Sequence, residues 1–172
     1  MDYFELFELP VQLYVDKKSL RARYLELSRR FHPDYFATAS GDAQQEALDA
    51  TAQLNRAMKT LGNREETIRY VLMQKGLLEA EEKYKLSNAF LIEMMEINEA
   101  VAERAFDNDP QKREQVETQL KNLEEEIYEP VAPIIEHYQE GVTSEKELLQ
   151  VKDYYFRKKY LERLQHQLQG IS

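Results

Sequence analysis

Cysteine is absent from the chain, which excludes a disulfide framework, thiolate metal ligation and a cysteine nucleophile. Long apolar runs are missing too. None approaches the roughly 18 residues needed to cross a bilayer, so no membrane association is expected. The N-terminal Asp2-Tyr3-Phe4-Glu5 is acidic rather than basic, unlike a signal peptide, and a cytoplasmic location is the expectation. Basic residues are outnumbered, and the net charge of -9 disfavours nucleic acid, whose phosphates require a basic surface that releases counterions. Glycine is scarce, with five in 172 residues, and no segment reads convincingly as a strand. What remains is rich in Glu, Gln, Leu, Ala and Arg, with apolar residues recurring every three or four positions, so the predicted fold class is all-α.

Charge is unevenly spread. Between Lys17 and Asp34 there are six Lys or Arg and two acids, whereas Leu77 to Pro130 carries fifteen acids and six bases. That asymmetry predicts two halves with different partners. In the first half, a helix should start after the N-cap Asp16 and bury Leu20, Tyr24, Leu27 and Phe31. It must stop at His32, because Pro33 disfavours helical geometry in the residue before it. A second helix is expected over Gln44 to Leu61, with Ala47, Ala50, Leu54, Met58 and Leu61 on one side and Gly62-Asn63 closing it. The polar loop Asp34 to Asp42 between them favours an antiparallel hairpin. Tyr3, Phe4, Leu6, Phe7 and Leu9 of segment 1–9 would pack against that hairpin, and a short helix, Arg64 to Gln74, would complete the unit.

Lys75-Gly76 should end the first domain, giving residues 1–75, a charged linker 76–86 and a three-helix C-terminal bundle 87–172. The first bundle helix is expected from about Ser87 to Phe106. The next should begin where Asp109 caps and Pro110 takes the first helical position. The last should begin at Ser144, where Glu147 completes a capping box, and bury Tyr154, Leu161, Leu164 and Leu168. Pro130 and Pro133 should kink the middle helix.

The basic helix Arg21-Ala-Arg23-Tyr24-Leu-Glu-Leu27-Ser-Arg29-Arg30-Phe31 runs directly into His32-Pro33-Asp34. Such an order can be plain termination chemistry, since a helix C-terminus favours a cation and proline cannot continue the helix. It also places an imidazole and a carboxylate at a loop tip, where a carboxylate can pair with a partner's arginine through charge-assisted hydrogen bonds. The tripeptide, with its basic helix before and antiparallel helix beyond, resembles the J-domain signature. Asp2-Tyr3-Phe4-x-Leu6-Phe7-x-Leu9-Pro10, Phe36, Asn55-x-Ala57 and Tyr70-Val71-Leu72 narrow the resemblance to the HscB branch of J-domain co-chaperones, over the whole chain. Tyr35 stands where that family usually has lysine and Met58 where an aromatic is usual. The segment Gly62 to Ile68 and the pair Pro130 and Pro133 also depart from the family pattern.

On a helix turning about 100° per residue, Met94, Ile97 and Val101 fall within roughly 40° of Phe90, and the four should be core. Leu91, Ile92 and Met95 then face water, bordered by Glu96, Glu99 and Glu103, as an interaction patch with an acidic rim. Burial of this helix on two sides by its neighbours is the alternative. The resemblance implies the function. The chain would be a non-enzymatic co-chaperone that stimulates the ATPase of an HscA/DnaK-type chaperone and delivers the iron-sulfur scaffold protein IscU to it, supporting maturation of iron-sulfur proteins. It would be a monomer in isolation, with no catalytic residue, metal or cofactor. Chaperone-binding residues would be Arg21, Tyr24, Arg29, Arg30, His32, Pro33 and Asp34. Client-binding residues would be Leu91, Ile92, Met95, Glu96, Glu99, Glu103 and Phe156. A J-domain adaptor for another client, or a helical scaffold without ATPase-stimulating activity, would share many of these features. A carboxylate-bridged metal enzyme would need Glu-x-x-His on paired helices. The residues three before His137 and His166 are Ile134 and Arg163, and there is no Gly-rich phosphate loop.

Overall fold

The computed structural model describes residues 2–106 and 109–170, with side chains omitted for 104–106; residue 1 of the predicted N-terminal segment lies outside them. The described residues form helices joined by turns, with no strand among them. The chain folds as two compact units, one formed by Met1–Gly76 with Ile135–Thr143 and the other by Leu77–Ile134 with Ser144–Ser172.

The first unit is built on α2 (Lys17–Arg30) and α3 (Gly41–Leu61). Asp16 caps α2 by accepting from the Ser19 N–H at 2.9 Å. The helix ends just ahead of the expected stop. Phe31 caps it, with its N–H on the Leu27 carbonyl at 3.0 Å, because His32 precedes proline and is held extended at φ -61°, ψ 129°. Leu20 and Leu27 are buried as the periodicity predicts, whereas Tyr24 and Phe31 are only half-buried. The helix α3 starts three residues earlier than predicted, since Ser40 Oγ accepts from Ala43 N–H at 3.2 Å. It buries Ala47, Leu54, Ala57 and Leu61, leaving Ala50 and Met58 half-buried. Tyr24 meets Asn55 and Phe31 meets Thr51, so sequence runs in opposite directions along the pair and the hairpin is antiparallel. Gly62 closes α3 in right-handed geometry, where an added Cβ would lie 2.8 Å from the Met58 carbonyl oxygen.

The short α1 (Tyr3–Leu6) and α4 (Arg64–Gln74) complete this core. Phe4 and Phe7 are buried with Leu54, Leu61, Ile68, Val71 and Leu72. Tyr70 stacks on Tyr3, with ring centroids 4.6 Å apart, and its hydroxyl accepts from the Tyr3 N–H at 2.9 Å. Burial pushes the Tyr70 phenol above its ordinary pKa. After α4, Gly76 adopts φ +71°, in the left-handed region that favours glycine. Residues 135–143, expected in the second half, belong with this unit. Glu140 is 2.7 Å from Lys75 Nζ, and Lys75 also lies over the Tyr138 ring.

The second unit packs α5 (Asn88–Phe106), α6 (Pro110–Tyr128) and α8 (Glu145–Gln169) against one another. Asp109 caps α6 with Pro110 in the first turn, and Ser144 and Glu147 form a reciprocal capping box on α8. The predicted stripe Tyr154, Leu161, Leu164 and Leu168 is buried. A charged pair sits inside this packing. Lys158, 6% exposed, meets Glu124 of α6, which also accepts from the Gln165 amide at 3.1 Å. The buried Lys158 ammonium disfavours any slip of α6 along α8, because it would lose its carboxylate partner while still out of water. The prolines do more than kink the middle helix. It stops at Tyr128, a 3-10 turn covers Glu129–Val131 with Pro130 in its first turn, and a separate five-residue α7 (Ala132–Glu136) follows, because each proline removes a helical N–H donor.

Candidate functional site

The tripeptide occupies the turn between α2 and α3. Pro33 opens a 3-10 turn, Pro33–Phe36, and the Tyr35 N–H reaches back to the His32 carbonyl at 3.1 Å. Both polar members are open to solvent, the His32 side chain 53% and the Asp34 side chain 90% exposed. The Asp34 N–H donates to His32 Nδ1 at 3.2 Å. That bond occupies Nδ1, leaving Nε2 to carry the proton of the neutral ring. The Asp34 carboxylate lies 3.5 Å from the same nitrogen, a pairing available only to the protonated ring. The turn therefore offers a ring N–H donor beside an exposed carboxylate acceptor.

This turn is held from α3. Thr51 Oγ1 donates to the Phe31 carbonyl at 3.3 Å. The Gln44 amide donates to the carbonyls of Ala37 and Ala39 at 3.0 and 3.3 Å. Tyr24, predicted as a docking residue, is half-buried and gives its hydroxyl to Asn55 Oδ1 at 2.6 Å. It can present a ring edge but not a free hydroxyl. Arg21, Arg29 and Arg30 are exposed. Arg30 approaches Glu26 at 3.3 Å, and Arg23 is paired with Glu8 at 2.8 Å. Among the described residues no carboxylate pairs with Arg21 or Arg29.

The second surface lies on α5. Phe90, Met94, Ile97 and Val101 are buried as predicted. On the neighbouring face, Ile92 and Met95 are 60% and 61% exposed, Leu91 is half-buried, and Glu96, Glu99 and Glu103 are exposed. Two large apolar side chains so open on one helix face form a patch rather than a scatter of single residues. Phe156 is half-buried on α8. It lines a depression of about 570 Å³ with Tyr84, Leu86, Tyr155, Lys159 and Arg163, and not with Leu91, Ile92 or Met95.

Sequence reasoning missed what fixes Phe156. Tyr84 stacks on it, with centroids 4.5 Å apart and planes 5° from parallel, and donates its hydroxyl to Asp153 Oδ1 at 2.8 Å. Burial first, and the Asp153 carboxylate second, push the Tyr84 phenol up to about 12. The segment read as a linker is thus anchored on α8. Leu78 and Leu86 are buried, and Glu82 meets Lys152 at 2.6 Å, which holds its carboxyl below the usual carboxylate range. Leu25, not singled out by the sequence, and Tyr35, noted there only as a departure from the family pattern, are exposed beside the tripeptide. Among the described residues no cluster of three or more His, Asp or Glu is placed to hold a metal ion, and no helix is long and apolar enough to cross a membrane.

Residues 86–169 match the family described as HSCB C-terminal oligomerisation domain. A co-chaperone protein HscB homolog from Vibrio campbellii is 37% identical over 112 residues, which cover 64% of this chain and 66% of that protein. The homolog from Vibrio vulnificus is 40% identical over 104 residues, covering 60% and 61%. The aligned stretch thus spans about two thirds or less of the curated relatives' length. Two solved structures are similar along nearly the entire chain. Chaperone HscB from Vibrio cholerae has a TM-score of 0.77 at 27% identity, covering 99% of this chain and 97% of that one. Human co-chaperone protein HscB has a TM-score of 0.81 at 26% identity, covering 98% and 81%.

Proposed function

Because this chain belongs to the HscB co-chaperone family, we propose that it is a two-ended adaptor, stimulating the ATPase of an HscA/DnaK-type chaperone and delivering the iron-sulfur scaffold protein IscU to it in the cytoplasm. The first unit is the chaperone-docking module and the second the client module. The observation that carries the reading is the exposed His32-Pro33-Asp34 turn, which offers an imidazole N–H and a carboxylate at the end of a basic helix.

Two physical effects divide the work. Arg21, Arg29 and Arg30 lie on the helix that leads into the tripeptide and provide a field that draws in an acidic patch on the ATPase, raising the rate of encounter more than the final affinity. Tyr24 supplies its ring edge to the same face. The tripeptide then biases the chaperone toward hydrolysis by interacting better with one of its two states than with the other. On the second unit, Leu91, Ile92, Met95 and Phe156 remove apolar client surface from water, while Glu96, Glu99 and Glu103 select a client basic at its edge. Holding the client on the same chain raises its effective concentration at the chaperone. Neither role needs a bond to be made or broken by this protein, so it acts without a catalytic residue or a cofactor of its own.

The test is the steady-state ATPase of an HscA-class chaperone with this protein and IscU. His32→Gln should abolish stimulation and leave IscU binding intact. Met95→Ala with Phe156→Ala should weaken IscU binding and retain stimulation by the first unit. One substitution that removed both activities without unfolding the protein would refute the division into two sites.

A further inference from the structure

The face of α2 that leads into the tripeptide is not purely polar. Leu25, Ser28 and Arg29 are spaced three and one apart, which places them on one stripe of the helix just ahead of His32. That stripe is turned away from the buried Leu20 and Leu27. Leu25 is 43% exposed and Tyr35, on the turn that follows, is 74% exposed. Together with Ser28, Arg29, His32 and Asp34 they line one open depression of about 470 Å³. The Tyr35 ring stands edge-on to the His32 ring, with centroids 6.3 Å apart and planes 83° from parallel. A single exposed leucine carries no message. Two apolar groups lining one depression with His32 do carry one, on a helix whose other exposed residues include Lys17, Lys18, Arg21 and Arg30.

We infer that Leu25 and Tyr35 form an apolar lip of the chaperone-docking surface, seating an apolar spot on the ATPase next to the acidic patch that meets Arg21, Arg29 and Arg30. This rests on the functional reading above and adds to it the chemistry of the partner's surface. The occupant is the ATPase rather than another molecule because the lip is continuous with the tripeptide: a partner close enough to contact the His32 ring also covers Tyr35, which is packed edge-on against it. Aromatic side chains that become fully desolvated at the centre of an interface carry a large part of its affinity. Tyr35 has an aromatic body for that burial and a hydroxyl that can stay at the wet rim. The lip and the arginines divide the interface in a measurable way, because apolar burial is nearly independent of ionic strength whereas contacts between exposed charges are screened.

The experiment titrates the wild type, Tyr35→Ser, Leu25→Ser, Tyr35→Phe and Arg29→Gln against the ATPase of an HscA-class chaperone, at low and high salt. Circular dichroism melting of each variant serves as a check on folding. The half-point of stimulation should rise about tenfold for Tyr35→Ser and severalfold for Leu25→Ser, the range expected of an interface aromatic and a peripheral leucine. The plateau at saturation should hold, Tyr35→Phe should restore the wild-type half-point, and the Tyr35→Ser effect should persist at high salt, where that of Arg29→Gln shrinks. A Tyr35→Ser half-point within twofold of wild type overturns the inference. So does a lost plateau, which would place Tyr35 in support of His32 instead of in docking. Self-association of the wild type that Tyr35→Ser abolishes would assign the lip to a second copy of this chain and also overturn it. A wild type that stimulates no HscA-class chaperone overturns the functional reading itself, and is distinguished from the other outcomes by the wild-type titration alone.

Discussion

Tyr84 is the residue whose removal most directly tests how the second unit is built. Three interactions meet on its side chain: the stacked ring of Phe156 at 4.5 Å, the Asp153 carboxylate at 2.8 Å from the hydroxyl, and the Lys152 ammonium 5.6 Å from the ring centroid. A stacked aromatic pair contributes about 0.5–1.5 kcal/mol beyond area burial, and a cation over a partly exposed ring about 0.5 kcal/mol. The hydrogen bond ends on a charged acceptor, for which about 1.5–3 kcal/mol is typical. Here it counts for less, since Tyr84 is only half-buried and Asp153 keeps a second partner, Arg157 Nε at 2.7 Å. Tyr84→Phe, which deletes that bond alone, should cost about 1 kcal/mol and lower the melting temperature by about 2–4 °C. Tyr84→Ala should cost about 2–3 kcal/mol, because the ring and the lysine contact go as well.

Client binding should separate the two variants further. Tyr84→Phe keeps Phe156 braced and should bind IscU like the wild type. In Tyr84→Ala the Phe156 ring loses its stacked partner and keeps only the edge contact of Tyr155, and ordering it on binding costs about 0.5–1.5 kcal/mol, a loss of about threefold to tenfold in affinity. The phenol offers an independent check. Its pKa is raised to about 12, so the folded protein holds the proton more tightly than the unfolded chain does. The associated stability is complete below about pH 10 and is lost as pH rises through about 12. Tyr84→Phe should remove that part of the alkaline slope. Equal destabilisation by Phe and Ala would refute the role given to the stack, and undiminished IscU affinity in Tyr84→Ala would refute the bracing of Phe156.

Gly76→Ala should destabilise the first unit by about 1 kcal/mol, read as a lower melting temperature, since φ +71° is strained for any Cβ while nothing lies within 4 Å of the added atom; an unchanged melt would contradict the backbone argument. Glu140 is held below the usual carboxylate range by Lys75 and then by Tyr138, and Glu82 by Lys152. Carboxyls with lowered folded pKa contribute stability above about pH 4.5 that disappears as pH falls through the folded values, so denaturant midpoints should drop on acidification. Glu82→Gln should flatten that dependence by up to about 1 kcal/mol, the range for partly exposed pairs, and an unaltered acid profile would count against the Glu82–Lys152 pair.

The helices were legible because short-range rules governed them. Asp16, Asp109 and Ser144 cap where side-chain chemistry says they should, and α4 has the predicted limits, Arg64 to Gln74. The core faces of α5 and α8 followed from spacing alone. The errors came where a nearer partner outcompeted the periodic signal. Ser40 captured the start of α3 ahead of Gln44, and two prolines three residues apart ended a helix that either one alone would bend. The fate of segment 77–86 was hidden for a different reason. Its charges look solvated in one dimension, and only the fold reveals that Glu82 and Tyr84 have Lys152 and Asp153 opposite them, some seventy positions away in sequence. Leu25 escaped notice because one apolar residue among arginines is unremarkable until Tyr35 is brought beside it.

The tripeptide shows how little of its own conformation it controls. Pro33 fixes the bend, and the His32–Asp34 bond fixes the ring, but both are local and would leave the turn free to swing on the end of α2. What stops that swing is α3. Thr51 takes hold of the Phe31 carbonyl just before the tripeptide, Gln44 takes hold of two carbonyls just after it, and Asn55 fastens Tyr24 two turns back along α2. Each of these bonds uses a side chain from a helix that has no assigned docking residue. A partner that must feel an imidazole and a carboxylate at a set spacing gains from a turn that is already ordered, since immobilisation on binding would subtract from affinity. The antiparallel hairpin is therefore the working part of the first unit as a whole: α2 carries the charge and the tripeptide, and α3 holds them in the geometry in which they can be recognised.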